Sequence, residues 1–164
     1  VLDQCLSIMG FPNPVSVTAS TYAKFGVEGK GKGDWGYPEP DGYFDVEDIA
    51  SAFIRFDNGA TVVMEASWAM HLPDHQWVEV LGTDGGIKID NGALKFYTEK
   101  DGLPLDIEPN LPVENSTVNM AAHFIECCKT GKKPYTSPEY GLILIKIFDA
   151  VYESAAQNGK QIEL

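Results

Sequence analysis

The stretch DVEDIASAFIRFDNGATVVMEASWAM, residues Asp45–Met70, decides how this chain is expected to fold. Ile49–Phe56 and Thr61–Ala69 are rich in β-branched and aromatic residues, and Asp57-Asn58-Gly59-Ala60 separates them. Asn and Gly both tolerate positive φ, so this pair predicts a tight turn between antiparallel strands. Both strands are apolar in both alternating phases, which predicts that both faces of their sheet are covered. We expect helices to cover one face of the sheet and a partner subunit or another domain to cover the other face.

Outside this hairpin the chain places its other predicted strands before its two long helices. Strands are predicted at Pro14–Phe25, Gln76–Gly82, Gly86–Asp90, Ala93–Thr98 and Gln161–Leu164, with one short edge strand within Lys100–Glu114. Helices are predicted at Val1–Met9, at about Thr117–Thr130 and from Ser137-Pro138 to Asn158. Strands followed by helices predict an α+β domain, mainly an antiparallel sheet with helices packed on one face.

Composition limits the partners of the chain. Its 164 residues suffice for one domain with a real core, and its formal net charge is −12. That charge repels phosphate backbones and anionic membranes, so neither nucleic acid nor membrane is expected as a partner. With three cysteines the chain is not a disulfide scaffold, which indicates a cytoplasmic protein. The opening helix begins at Val1 without a start signal, which suggests a piece of a longer protein.

Two short motifs match the sequence patterns of known binding sites. Gly31-Lys32-Gly33-Asp34-Trp35-Gly36 matches the dinucleotide pattern GxGxxG, but Pro38 and Pro40 follow, where that motif needs a helix. We therefore interpret Gly26–Gly42 as a glycine-rich loop. His71 and His75 could hold zinc from one face of a helix, but Pro73 interrupts any helix between them. No metal site is predicted.

An acidic cluster and a lone histidine have structural interpretations. The cluster Asp41, Asp45, Glu47 and Asp48 lacks the spacing of a calcium loop, so capping, turn formation and solvated charge account for most of it. His123 lies alone on an amphipathic helix, where a structural role is commoner than a catalytic one.

Three consecutive segments resemble the C-terminal domain of the Gfo/Idh/MocA oxidoreductase family: Asp45–Met70, Val78–Asn91 and Phe124–Leu164. The opening helix resembles the family helix that carries a G-x-H-x-x-D element. Asp3 matches the aspartate of that element, and its histidine would fall one position before Val1. The resemblance implies a domain of the glyceraldehyde-3-phosphate dehydrogenase-like C-terminal type over residues 1–164, serving substrate binding and oligomerisation.

The resemblance also implies a function for the parent protein. An N-terminal Rossmann domain would bind NAD or NADP, and the substrate, a sugar, inositol or related polyol, would lie between the two domains. This chain alone would bind no cofactor, and its sheet would form a homo-oligomer interface. Asp3 is the catalytic candidate, with its histidine and lysine partners expected in the missing part. The substrate-binding candidates are Tyr43, Trp68, His71 and His123.

Two alternatives stay open at this point. Such a domain could serve as a non-catalytic sugar-binding or assembly module, which an upstream Rossmann sequence would argue against. A metal-dependent hydrolase using His71, His75 and nearby acids is the weaker alternative, and it requires stoichiometric metal in the purified protein.

Overall fold

The computed structural model describes residues 1–30, 42–73, 75–112 and 115–164. Within these ranges the helices are α1 (Leu2–Ile8), α2 (Ser116–Thr130) and α3 (Pro138–Ala156), with one 3₁₀ turn at Gly26–Glu28. The strands are β1 (Pro14–Tyr22), β2 (Ile49–Phe56), β3 (Thr61–Ser67), β4 (Trp77–Leu81), β5 (Gly86–Asp90), β6 (Ala93–Lys100), β7 (Leu103–Ile107) and β8 (Ile162–Glu163). None of these helices is long and apolar enough to cross a membrane.

The described residues divide into two compact units, which we describe separately. The first contains residues 10–30, 42–73 and 143–164 and holds the sheet β3-β2-β1-β8. The second contains residues 3–9, 75–112 and 115–142 and holds the sheet β4-β5-β6-β7. All paired strands run antiparallel.

The first sheet is built on the hairpin that the sequence predicts. β2 and β3 pair from Ile49 with Ser67 to Arg55 with Thr61, and Gly59 takes φ 84° in the turn between them. One phase of β2 is buried, and it consists of Ala50, Ala52, Ile54 and Phe56. The stripe buried on α3 consists of Ile147, Ala150, Val151 and Ser154, at the i, i+3, i+4, i+7 spacing of one helical face. These two buried surfaces contribute most of the core of the unit.

Ser154 joins α3 to the edge of β1. β8 pairs with β1 only at Ser16 and Val17, so the N–H of Ala19 lies beyond the end of β8. That N–H donates to Ser154 Oγ at 2.8 Å, and the hydroxyl donates to the carbonyl of Lys160 at 2.7 Å. A fully buried side chain therefore satisfies the strand edge where the sheet pairing stops.

The second sheet is a four-stranded meander whose turns have residues with positive φ. Asn91 and Gly92 connect β5 to β6 at φ 45° and 85°, and Asp101 and Gly102 connect β6 to β7 at φ 55° and 77°. In the same unit Asn115 caps the N-terminus of α2, and its side chain accepts the N–H of Val118 at 3.2 Å. It ends at Gly131, which takes a left-handed conformation at φ 73°.

The α+β class and the antiparallel pairing predicted from the sequence are confirmed. Each predicted strand and helix is present with its ends at the predicted residues or within a few residues of them, and the short edge strand predicted within Lys100–Glu114 is β7. The strands form two four-stranded sheets. The GxGxxG-like motif at residues 31–36, with Pro38, Pro40 and Asp41, lies outside the described residues.

Candidate functional site

Three segments of the chain meet at one end of the first sheet. Tyr22 pairs with Ile49, and Ile49 pairs with Ser67, so β1 ends, β2 begins and β3 ends at the same edge. The segments that leave this edge are residues 24–29, 43–48 and 68–71, and we call them together the aromatic end. Three of the predicted substrate-binding residues lie here, namely Tyr43, Trp68 and His71.

Asp48 is the buried polar centre of the aromatic end, with only 2% of its surface exposed. Its carboxylate accepts the backbone N–H of Lys24, of Phe25 at 2.6 Å and of Gly26 at 2.9 Å. Burial raises the pKa of this carboxyl, but the three N–H donors outweigh burial and hold the pKa below its ordinary value. Asp48 is therefore a carboxylate that fixes the backbone leaving β1.

The main chain of Glu47 and Asp48 holds Trp68. The indole Nε1–H of Trp68 donates to the carbonyl of Glu47 at 2.8 Å, and its backbone N–H donates to the carbonyl of Asp48 at 3.2 Å. The hydroxyl of Ser67 donates to the same Asp48 carbonyl at 2.8 Å. Both the backbone and the ring of the half-buried Trp68 are thus fixed by one dipeptide.

Phe44 packs between the two segments that Asp48 and Glu47 hold. Its ring centroid is 5.5 Å from that of Trp68, and the ring lies over Gly26. A Cβ on Gly26 would lie 2.1 Å from carbons of the Phe44 ring, so only glycine allows this approach. Phe25 contacts His71 edge to face, with 5.2 Å between ring centroids. The aromatic rings thereby join all three segments.

Helix α3 reaches the aromatic end through Tyr152. Its hydroxyl donates to the carboxylate of Glu47, 3.1 Å from each oxygen. Burial and the neighbouring Glu47 carboxylate raise the pKa of Tyr152. This phenol therefore stays a neutral donor that ties the start of β2 to the helix.

The aromatic end presents a surface of aromatic and polar groups to solvent. Tyr43 is 90% exposed, His71 is exposed and Trp68 is half-buried. Ligand sites commonly combine aromatic faces with a few fixed polar groups, and aromatic rings with one wet side serve both purposes. The aromatic end therefore combines solvent-facing aromatic rings with an imidazole that can donate or accept a hydrogen bond.

The other two predicted site residues lie in the second unit. Asp3 is an exposed residue in the first turn of α1. His123 lies on α2, where its Nε2 accepts the backbone N–H of Tyr135 at 3.2 Å, and its ring stacks on the Tyr135 ring at 4.3 Å. The Cys127 thiol lies 3.5 Å from the same nitrogen. These contacts put the proton of a neutral His123 on Nδ1 and tie α2 to the segment that precedes α3.

The two histidines considered as metal ligands have other contacts. His71 lies against Phe25 as described, while Nε2 of His75 is 3.0 Å from Asp90 Oδ1, and its ring stacks on Trp77 at 4.8 Å. Within residues 1–30, 42–73, 75–112 and 115–164, no group of three or more His, Cys, Asp or Glu side chains could hold a metal ion.

Asp48 is the residue of the site that sequence reasoning missed, because the acidic cluster as a whole is interpreted as capping, turn formation and solvated charge. Its place directly before a buried strand was the available signal. An open groove of about 350 Å³ lies at the β4–β5 hairpin, lined in part by Leu81, Thr83 and Tyr97. None of the predicted site residues lines this groove, so it does not extend the aromatic end.

The model of the Gfo/Idh/MocA C-terminal domain matches residues 1–88, just over half of the chain. This range includes the first three strands of the first sheet and all three segments of the aromatic end. The chain therefore belongs to the Gfo/Idh/MocA family, as a C-terminal domain.

Characterised relatives are sugar dehydrogenases. The chain is 27% identical to D-glucoside 3-dehydrogenase of Escherichia coli (strain K12), over 100% of the chain and 46% of that protein. It is 27% identical to D-apiose dehydrogenase of Rhizobium rhizogenes (strain K84 / ATCC BAA-868), over 72% of the chain and 38% of that protein. The chain thus spans less than half the length of these relatives.

Solved structures share the fold. An oxidoreductase domain protein from Kribbella flavida matches with a TM-score of 0.77 at 18% identity, over 99% of this chain and 48% of that one. A levoglucosan dehydrogenase solved with NADH and L-sorbose matches with a TM-score of 0.69 at 20% identity, over 92% of this chain and 44% of that one.

Proposed function

We propose that this chain is the substrate-binding and oligomerisation domain of an NAD(P)-dependent oxidoreductase that acts on a sugar, inositol or related polyol. The observation that carries the proposal is the convergence of Tyr43, Trp68 and His71 at one end of a sheet within the family-matched range. The relatives named above as sugar dehydrogenases support the substrate class.

In this proposal the aromatic end binds and orients the substrate. Fixed aromatic faces favour the C–H face of a sugar ring, and the imidazole of His71 can donate to or accept from a hydroxyl. Holding the reacting carbon in one orientation lowers the entropic part of the barrier without any chemistry by these residues. Asp3 is kept as the candidate that assists proton transfer, and His123 as a further substrate contact.

We propose that the cofactor is bound by a Rossmann domain in the remainder of the parent protein. The chain covers under half of the relatives' lengths, and one matching structure contains NADH, which supports this division of labour. The nicotinamide would supply or accept the hydride, while the residues described here would hold the substrate and exclude water. The chain alone is therefore expected to lack dehydrogenase activity.

The outer face of the first sheet is the proposed oligomer interface. Phe53 is 36% exposed and Val63 is 77% exposed on neighbouring positions of paired strands. The guanidinium of Arg55 lies over the Phe53 ring at 5.2 Å. Exposed apolar side chains on the face of a sheet are typical of a surface that a second copy covers.

Isotope-labelled chain titrated with aldoses, inositol and other polyols tests substrate binding directly. Saturable shifts of the Trp68 indole and His71 ring resonances would support the proposal. Trp77 serves as the internal comparison, because it lies in the second sheet and stacks on His75. A panel that moves no resonance of the aromatic end, with a full-length parent that oxidises no polyol, would reject the proposal.

A further inference from the structure

We propose that Asp48 is a positioning residue, which fixes the Trp68 indole and the backbone of Lys24–Gly26 in one arrangement for substrate binding. The effect of Asp48 on substrate binding rests on the function proposed above. Its effect on the position of Trp68 and of residues 24–26 follows from the contacts of Asp48 and can be tested without any substrate.

All polar groups of Asp48 are engaged. Its N–H donates to the carbonyl of Tyr22 at 2.8 Å, its carbonyl accepts from Ser67 and Trp68, and its carboxylate accepts three consecutive N–H groups. Because the side chain is buried, loss of the carboxylate would leave three main-chain donors without their acceptor in a place that water reaches poorly. The segment leaving β1 would then have to move to satisfy them.

Movement of that segment would reach Trp68 through Phe44. The Phe44 ring fills the space over Gly26 and also contacts Trp68, so a displaced Gly26 no longer confines the ring. The bonds from Trp68 to the Glu47 and Asp48 carbonyls do not involve the Asp48 side chain. A side-chain substitution should therefore loosen the indole rather than detach it.

The same contacts argue against a direct chemical role. Main-chain donors surround the carboxylate and lower its pKa, which opposes protonation. A group in that state is poorly placed to exchange a proton with a bound hydroxyl. Asp48 acts on substrate only through the residues that it holds.

The first test uses the fluorescence of Trp68 in a chain carrying Trp35→Phe and Trp77→Phe, which leaves one indole. Asp48→Asn should shift the emission to longer wavelength and increase quenching by acrylamide. Asp57→Asn is the matched control, because Asp57 also accepts a backbone N–H, from Asn13 at 3.2 Å, but lies at the opposite end of β2. It should change neither reading. Unchanged emission and quenching in folded Asp48→Asn would overturn the proposal.

Amide hydrogen exchange in the unsubstituted chain decides the question if Asp48→Asn does not fold. The amides of residues 24, 25 and 26 should exchange at least about tenfold more slowly than in an unstructured chain, because their N–H groups are bonded and confined. Exchange at the unstructured rate would contradict the proposal.

The link to substrate is tested in the full-length dehydrogenase. Asp48→Asn should raise KM for the sugar or polyol by about tenfold or more, since small displacements of substrate-positioning groups are costly. The affinity for the nicotinamide cofactor should not change. An unchanged KM together with altered Trp68 fluorescence would refute the substrate link alone. A parent without polyol activity would refute the proposed function, while the fluorescence and exchange results would still decide the structural part.

Discussion

At the scale of single residues, the first unit depends on two buried polar side chains that bond main-chain atoms. Asp48 satisfies three N–H groups where β1 ends, and Ser154 satisfies one N–H and one carbonyl where β8 stops pairing. A hydrogen bond made by such a group adds little to the free energy of unfolding. Removal of the group is costly, because its buried main-chain partners are then left without a hydrogen bond. Both are therefore sensitive positions despite their polarity.

Asp48→Asn should lower the free energy of unfolding by about 2 to 4 kcal/mol at neutral pH, because the amide keeps one, weaker, accepting oxygen and replaces the other by an NH₂ donor that faces a main-chain N–H. Urea unfolding followed by far-ultraviolet circular dichroism measures this change. Asp57→Asn, in the exposed turn, should cost less than about 1 kcal/mol. Equal costs for the two variants would contradict the role given to Asp48.

The acid dependence of stability should also change at Asp48. The folded pKa of this carboxyl lies below its ordinary value of 3.8, so the folded state binds the proton less readily than the unfolded state. The stabilisation is complete above the unfolded pKa and disappears as the pH falls through the folded pKa. The difference in unfolding free energy between the native chain and Asp48→Asn should thus be constant from pH 7 to about pH 5 and shrink below that. A difference that grows on acidification would contradict this sign.

Ser154→Ala should destabilise the first unit by about 1 to 3 kcal/mol, because the Ala19 N–H and the Lys160 carbonyl lose a buried partner. Chemical unfolding gives the magnitude, and faster exchange of the Ala19 amide gives the location. Ser7→Ala, on an exposed position of α1, is the control and should be close to neutral. Unchanged exchange at Ala19 would show that the hydroxyl does not protect this edge.

At the scale of secondary-structure elements, close packing at the aromatic end depends on a glycine. Gly26→Ala should destabilise the chain, because its Cβ would collide with the Phe44 ring. Gly141→Ala is the matched control on α3, where a Cβ meets nothing within 4 Å, and it should stabilise by about 0.5 to 1 kcal/mol through helix propensity. The two thermal midpoints should move in opposite directions, and a shared direction would refute the packing argument.

The elements follow from local sequence signals, and this explains why most of them could be predicted. Asn58-Gly59 and Asn91-Gly92 occupy the tight turns that their conformational freedom favours, and Gly131 ends α2 as a left-handed cap. Ser137-Pro138 marks the start of α3. The division of the strands into two sheets is set by long-range pairing, which periodicity does not encode.

The candidate site could be predicted in part. Tyr43, Trp68 and His71 were named from the sequence, and strand register brings their segments to one edge. The role of Asp48 is not predicted, because its three backbone donors come from a segment distant in the sequence, and only its place directly before a buried strand points to it. The contacts of His123, by contrast, are local in the sequence. Cys127 lies one turn further along α2, and Tyr135 lies in the short connection between α2 and α3. The action of His123 on substrate stays a prediction.

At the scale of the whole molecule, the chain is an acidic domain of the Gfo/Idh/MocA family whose first sheet exposes Phe53 and Val63 on its outer face. Sedimentation analysis should show self-association of the native chain, because burial of Phe53 and Val63 removes exposed apolar surface. The double variant Phe53→Glu and Val63→Glu should be monomeric. Leu81→Glu, on an exposed residue of β4, should associate like the native chain. A native chain that is monomeric at all accessible concentrations would refute the interface.

The most direct test of the central claim is the nuclear magnetic resonance titration of the Trp68 indole N–H with a panel of aldoses and polyols. The account predicts that at least one sugar or polyol shifts this resonance saturably, together with His71, while the Trp77 indole stays in place. Tyr43→Ala should weaken that binding without unfolding the chain, since its ring is almost fully exposed. A saturable response confined to Trp77 and its neighbours, or no response to any compound of the panel, would contradict the assignment of the aromatic end as the substrate site.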